Sequence, residues 1–270
     1  MTVLLDETPG THPTINLCSG SSFCMLNRDT LLSSAIAMLI TLVIGLAVAY
    51  RLRTGPPGKL QMVFELLLSY VRNMVRDTVA EDAAFIVPIA ATIGFFILVA
   101  NWIDFFPLQQ PVEPANADLN LTAAMALVVI LVVQWYSVHV LGWRGYLHRF
   151  TKPFEMNLFV RTVFVPLNVI EELVKPVTLS LRLFGNIFAG VVMVFLLGQL
   201  FATGSALLSH AAFGTFGLIL LVVWKAFDVF FVGSIQAFIF MLLTIIYFGM
   251  AREGLEEEGH GKAAVAHAEA

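Results

Sequence analysis

Charge is what this chain has least of. Lys, Arg, Asp and Glu make up 13% of its 270 residues, against 59% hydrophobic. That excludes a soluble globular domain and implies an integral membrane protein. No run of basic residues occurs, so nucleic acid is not an expected partner. Cysteine is nearly absent. Cys18 and Cys24 stand alone, with no CxxC pair and no Cys/His spacing suited to a metal. No cofactor or metal site is expected. The apolar runs contain no HExxH, no paired Asp and no Ser/His set, which argues against an intramembrane enzyme. The first thirty residues have neither the basic start nor the apolar core of a signal peptide, so targeting is expected to come from the spans.

Against these absences stands a succession of long apolar runs. Residues 31–50, 83–106 and 119–141 are each long enough to cross a bilayer. Asp29 and Thr30 supply helix-start chemistry before the first, and Pro107 stops the second. Residues 61–80 differ. Phe64, Leu67, Leu68, Val71 and Val75 recur at helical spacing, with Glu65, Arg72 and Arg76 on the other side. That pattern predicts an amphipathic helix on the membrane surface. Arg51, Arg53 and Lys59 come after the first span, and Arg144, Arg149 and Lys152 after the third. The loop 107–118 holds Glu113 and Asp118 and no base. The positive-inside rule therefore puts 51–82 and 142–157 in the cytoplasm and the N-terminus outside. Cys18 and Cys24 would then face an oxidising side, where they either pair or stay as thiols.

The remainder reads as two overlong helices, 156–201 and 210–250, with a turn at 202–209. At about 1.5 Å per residue each runs roughly twice the hydrocarbon thickness, which predicts a steep tilt and an antiparallel hairpin. Pro166 and Pro176 are expected to bend the first. The expected fold is thus all-α and membrane-integral, with about five embedded helices and one interfacial helix. A segment 1–30 lies outside, a single membrane domain spans 31–250, and a solvated, disordered tail at 251–270 returns to the cytoplasm.

Arg182 is the most informative residue. No acid occurs from Leu173 to Leu181 or from Leu183 to Phe227. A charge at membrane depth costs about 3 kcal/mol on insertion scales, so it is expected to face protein or water and to act there. Steps of four, seven and eleven keep one helical face. Arg182 therefore groups with Asn186, Ala189, Lys175 and Glu171, and Gly185, Ala189 and Gly190 would admit a close helix. On the last helix, Gln236 shares a face with Lys225 and Tyr247. At similar depth, its oxygen could hold the guanidinium. Lys225 and Asp228, one turn apart, are expected to pair. Tyr247 is either an interfacial anchor or a channel residue. His210 is either a proton relay or a helix-start surface residue.

Two long motifs carry a resemblance. Lys175-Pro176-Val-Thr-Leu-Ser-Leu-Arg182-Leu-Phe-Gly-Asn186-Ile-Phe-Ala-Gly190 resembles the signature of subunit a of F-type ATP synthases. Ile235-Gln236-Ala-Phe-Ile-Phe240-Met-Leu-Leu-Thr244-Ile-Ile-Tyr247 resembles that family's final-helix motif, and Asp118-Leu119-Asn120 its D-x-N opening of a middle helix. The resemblance implies a stator subunit that gives protons two offset half-channels against a ring of c subunits. Peripheral-stalk b subunits and the lipid bilayer are the other implied partners. The bacterial plasma membrane is the expected location, with a thylakoid as an alternative. The family's essential arginine falls on Arg182, its channel asparagine on Asn186, its glutamine on Gln236 and its tyrosine on Tyr247. Some members carry Glu where this chain has Val191, and His where it has Val229, seven residues before the glutamine. Asp228, Asp118 and His210 are then the outer-channel candidates. Glu171 and Glu172, about fifteen Å from Arg182 by helical rise, suit the inner channel, Glu171 having the better face. The chain is not expected to be catalytic alone. A secondary transporter binding an anion at Arg182 is the alternative, but it calls for internal repeats and matched broken helices, and neither is seen.

Overall fold

A chain in lipid must satisfy its own backbone, and a helix does so within one segment. The computed structural model describes residues 14–16, 25–52, 58–79, 85–106, 115–149, 158–207 and 210–251, nearly all of them helical. Among the described residues, five helices are long and apolar enough to cross a membrane. A small ribbon precedes them. β1 (Thr14–Asn16) pairs antiparallel with β2 (Met25–Asn27), Ile15 opposite Leu26. The sequence pattern predicts no strand there, because three residues are too few to carry an alternation. Cys18 and Cys24, and the question of their pairing, lie outside the described residues.

Helix α1 (Arg28–Tyr50) begins directly after the ribbon, so Asp29 and Thr30 lie in its first turn. Helix α2 (Lys59–Thr78) carries the amphipathic pattern. Helix α3 (Ile86–Ile103) is apolar except for Thr92 and, near its end, Asn101. A 3-10 turn (Ala115–Ala117) leads into α4 (Leu119–Arg149). The apolar run predicts an end at Leu141. Instead the helix kinks at Gly142, where φ is 68°, and resumes to Arg149. A positive φ is open to glycine because it has no Cβ.

Helix α5 (Leu158–Leu207) contains Pro166 and Pro176 without ending at either. It also runs through Gly204 and Ser205, where the sequence predicts the turn. One glycine inside a helix costs about 1 kcal/mol, and the good helix formers Ala202, Ala206 and Leu207 surround it. The last helical run has three parts: α6 (His210–Ala226), a π-turn (Phe227–Val232) and α7 (Gly233–Met250). The tail 252–270 lies outside the described residues.

Packing separates two units. The first comprises Met1–Gln61, Thr92–Thr122 and Leu181–Phe240. In it, α5 lies antiparallel to the α6–α7 run: Asn186 meets Gln236, Gly190 meets Asp228, and Phe201 meets Gly217. Leu183, Ile187, Ala237 and Phe240 are buried there. The second comprises Met62–Ala91, Ala123–Ser180 and Met241–Ala270. Its core is a triangle of rings, Phe85, Tyr136 and Phe248, with centroids 5.1–6.0 Å apart and edge-on geometry. Such pairs add about 0.5–1.5 kcal/mol each beyond burial. Val71 and Val75, one turn apart on α2, are buried in the same unit. At Gly249 a Cβ would come within 2.9 Å of the Thr78 carbonyl, so glycine lets α2 and α7 approach.

Candidate functional site

In the first unit, α5 has two unlike faces. Leu183, Ile187 and Gly190 are buried, whereas Arg182, Gly185, Asn186 and Ala189 are exposed. Around Gly185 an added Cβ would meet nothing within 4 Å. Arg182 has no hydrogen bond or ion pair among the described residues. A guanidinium thus stands on an open flank with small residues, the one charged side chain of α5 between Pro176 and Leu207.

Helical counting offers Gln236 to that guanidinium. The structure gives it to Asn186, whose Nδ2 donates to Gln236 Oε1 at 2.8 Å. Gln236 is 2% exposed, too enclosed to reach round to the exposed flank. Asn186 bridges the two faces. Its side chain is exposed like Arg182, one turn away, yet it holds the buried amide.

Asp228 is buried, and its carboxylate lies against Gly190, where any Cβ would overlap it. The pairing of Lys225 with Asp228, expected from their spacing, does not form. Instead Lys225 Nζ bonds Asp104 Oδ2 at 2.5 Å, at the end of α3. The ion pair is made between helices, because Asp228 is turned toward α5. Counting seven back from Gln236 reaches Val229, which is buried as well. The wider π-turn makes Asp228, not Val229, the residue that faces Gly190.

Asp118 is a joint. Its carboxylate accepts Asn27 Nδ2 at 2.6 Å, Thr30 Oγ1 at 2.7 Å and the Asn120 backbone N–H at 2.8 Å. The last is N-cap geometry for α4, and the first two tie in α1. His210 opens α6, but its side chain lies outside the described residues.

The second unit gathers another cluster. Glu172 accepts Lys175 Nζ at 2.7 Å and also the Gln134 side-chain amide. Lys175 Nζ stands 6.0 Å from the centre of the Tyr247 ring, a cation–π distance. Glu171, the residue favoured by face counting, is exposed and outside this cluster. The count runs across Pro176, where regular helix geometry is not assured. The Lys175 ammonium thus lies over the Tyr247 ring.

Sequence reasoning missed Asn101, Asn116 and Gln134, and the partner of Asp104. The signal for Asn101 and Gln134 was a lone amide within an apolar run. Asp104 was visible as an acid at a span end, but its partner was not.

The family described as ATP synthase A chain matches residues 31–249. The chain is 40% identical over 236 residues to ATP synthase subunit a of Acidothermus cellulolyticus, covering 86% of this chain and 79% of that protein. It is 40% identical over 248 residues to ATP synthase subunit a of Mycobacterium tuberculosis, covering 87% and 90%. A more distant relative, ATP synthase subunit a of Shewanella piezotolerans, is 34% identical over 258 residues, covering 90% and 94%. The chain belongs to the ATP synthase A chain family.

Proposed function

We propose that this member of the ATP synthase A chain family is the membrane stator against which a ring of c subunits turns, with Arg182 separating two proton half-channels. The observation that carries this reading is the unpartnered Arg182 on an exposed flank with Gly185 and Ala189. A guanidinium stays charged at any working pH, which an ammonium need not. It favours the ionised form of a passing ring carboxylate. The proton so released leaves by one half-channel. Re-protonation from the other makes the ring site neutral, and a neutral site crosses lipid without the cost of a buried charge. One charge moving through 100 mV supplies about 2.3 kcal/mol. Several such steps drive ATP formation elsewhere in the complex, so this chain is not catalytic by itself.

The outer path uses Asn186, Gln236 and Asp228. His210 belongs to it on its place in the sequence. Asp118 is assigned a structural role, because its oxygens are already committed to three donors. The inner path uses Glu172 with Tyr247 beside it, and Glu171 is secondary. Peripheral-stalk b subunits anchor the stator. The membrane is the bacterial plasma membrane, with the N-terminus outside and the C-terminus cytoplasmic.

The test is ATP-driven acidification of everted membrane vesicles carrying the whole complex, with and without sodium. Arg182→Ala and Arg182→Lys are both expected to abolish it, while wild type needs no sodium. Unimpaired acidification with Arg182→Ala would overturn the reading. A sodium requirement would reassign the ion.

A further inference from the structure

Residues Phe227–Val232 leave the α-helical register, and the Gly233 N–H closes onto Asp228 O, five residues back. Single π-turns inside helices are rare and are frequent at functional positions. Each takes up one extra residue. In a regular α-helix that residue would rotate everything before it by about 100° relative to everything after it. Asp228 lies eight positions before Gln236. Only with the π-turn does its carboxylate come to rest against Gly190.

The turn's own sequence, Phe-Asp-Val-Phe-Phe-Val, holds no glycine or proline that would impose it. Just past its C-terminal end, however, the chain is bonded to α3. Asn101 is buried and donates Nδ2 to Gly233 O at 2.9 Å. Its Oδ1 accepts Asn116 Nδ2 at 2.6 Å, so its amide orientation is fixed. Asn116 is 1% exposed. Position 233 admits this contact because it is glycine: a Cβ there would lie 3.0 Å from Asn101 Cβ. A second bond reinforces the first. Trp102 Nε1 donates to Ser234 Oγ at 3.0 Å, and that hydroxyl donates to Phe230 O at 2.6 Å.

We propose that Asn101, oriented by Asn116, is a positioning residue for proton transfer: it holds the π-turn that aims Asp228 at Gly190. The proposal rests on Asp228 being a proton carrier. Asn101 does not titrate and acts only through the register of the helix. Lys225 and Asp104 are the charged groups beside Asp228. They bind each other.

The mechanism makes an unusual demand. If one residue is removed from the turn, the helix becomes α-helical with Asp228 seven positions before the glutamine, still on the face that meets Gly190. Asn101 is then dispensable. Phe231 is the residue to remove, since it is exposed and its loss takes nothing from the core.

The experiment measures ATP-driven acidification in everted vesicles, per assembled ATP synthase. It compares wild type, Asp228→Asn, Asn101→Leu, the two together, and Asn101→Leu combined with deletion of Phe231. Misplacement of a reacting group by about 1 Å can cost up to a hundredfold, so each single substitution is expected to slow acidification by about tenfold or more. The double substitution should be no slower than Asp228→Asn alone, as expected of two residues acting as one unit. The Phe231 deletion should restore the Asn101→Leu chain. Full activity in Asp228→Asn would overturn the role of Asp228 itself. Loss in Asp228→Asn with normal rates in Asn101→Leu would overturn the positioning role alone. Additive losses, or no rescue by the deletion, would do the same. If Asn101→Leu does not assemble, Asn101→Ala replaces it. Failure of both to assemble, with and without Phe231, would overturn the proposal, since the pair would then serve assembly.

Discussion

Asp228 fills the space that any side chain at Gly190 would need, so a Cβ built there overlaps its carboxylate. Gly190→Ala is therefore expected to displace that carboxylate while leaving the rest of α5 intact. Proton pumping should fall by about tenfold, the scale of a sub-ångström to one-ångström misplacement. The assay is acidification per assembled complex. An unchanged rate would show that Asp228 need not sit where it does.

Gly185 offers the opposite case. Nothing lies within 4 Å of a Cβ at that position. Gly185→Leu should leave the chain folded and inserted at wild-type levels. Against a close-packed ring, however, the added side chain must clash, and overpacking typically costs about 1–3 kcal/mol. Co-purification of the ring with the variant reads this out. Normal co-purification and normal pumping would mean that no partner covers this flank.

For Asp118→Ala the expected loss is stability rather than transport. The change removes an N-cap, worth about 0.5–2 kcal/mol, and leaves Asn27 and Thr30 without their acceptor. Assembled complex should be scarcer and melt earlier in detergent, while each surviving complex pumps at the normal rate. Normal assembly with lost pumping would return Asp118 to the proton path.

Glu171 and Glu172 are adjacent but unlike. Glu172→Gln is expected to slow pumping, because it breaks the contact with Lys175 and alters the one with Gln134. Glu171→Gln should be nearly silent, as surface substitutions usually fall within about 0.5 kcal/mol. Comparing the two rates decides the assignment, and the reverse order would restore the helical-face reading.

The division between what could and could not be read from the sequence is one of range. Arg182 was legible because one charge in an apolar run is costly wherever it lies. Asn186 needed only a single helical turn. The partners of Gln236 and Lys225, and the Gln134 partner of Glu172, were not legible. Each lies far away in the chain, and wheel counting only ranks faces on one helix. Asp228 shows a second limit. Its orientation depends on a turn that departs from 3.6 residues, and the unequal spacing to Gln236 was the only trace of that departure. The kink at Gly142 shows the milder form. The sequence marks the break at the correct place, but a single positive φ lets the helix continue.

The open flank of Arg182 also bears on the life of the subunit before it meets its partners. Alone in a bilayer, the chain would present a bare guanidinium to lipid, at a cost of about 3 kcal/mol or more. Burial against a ring would remove that cost. An orphaned copy is therefore strained in a way that an assembled one is not, and surveillance proteases acting on unpaired membrane subunits would have a physical difference to recognise. The charge that serves rotation would also mark a subunit as unfinished until its counterpart arrives.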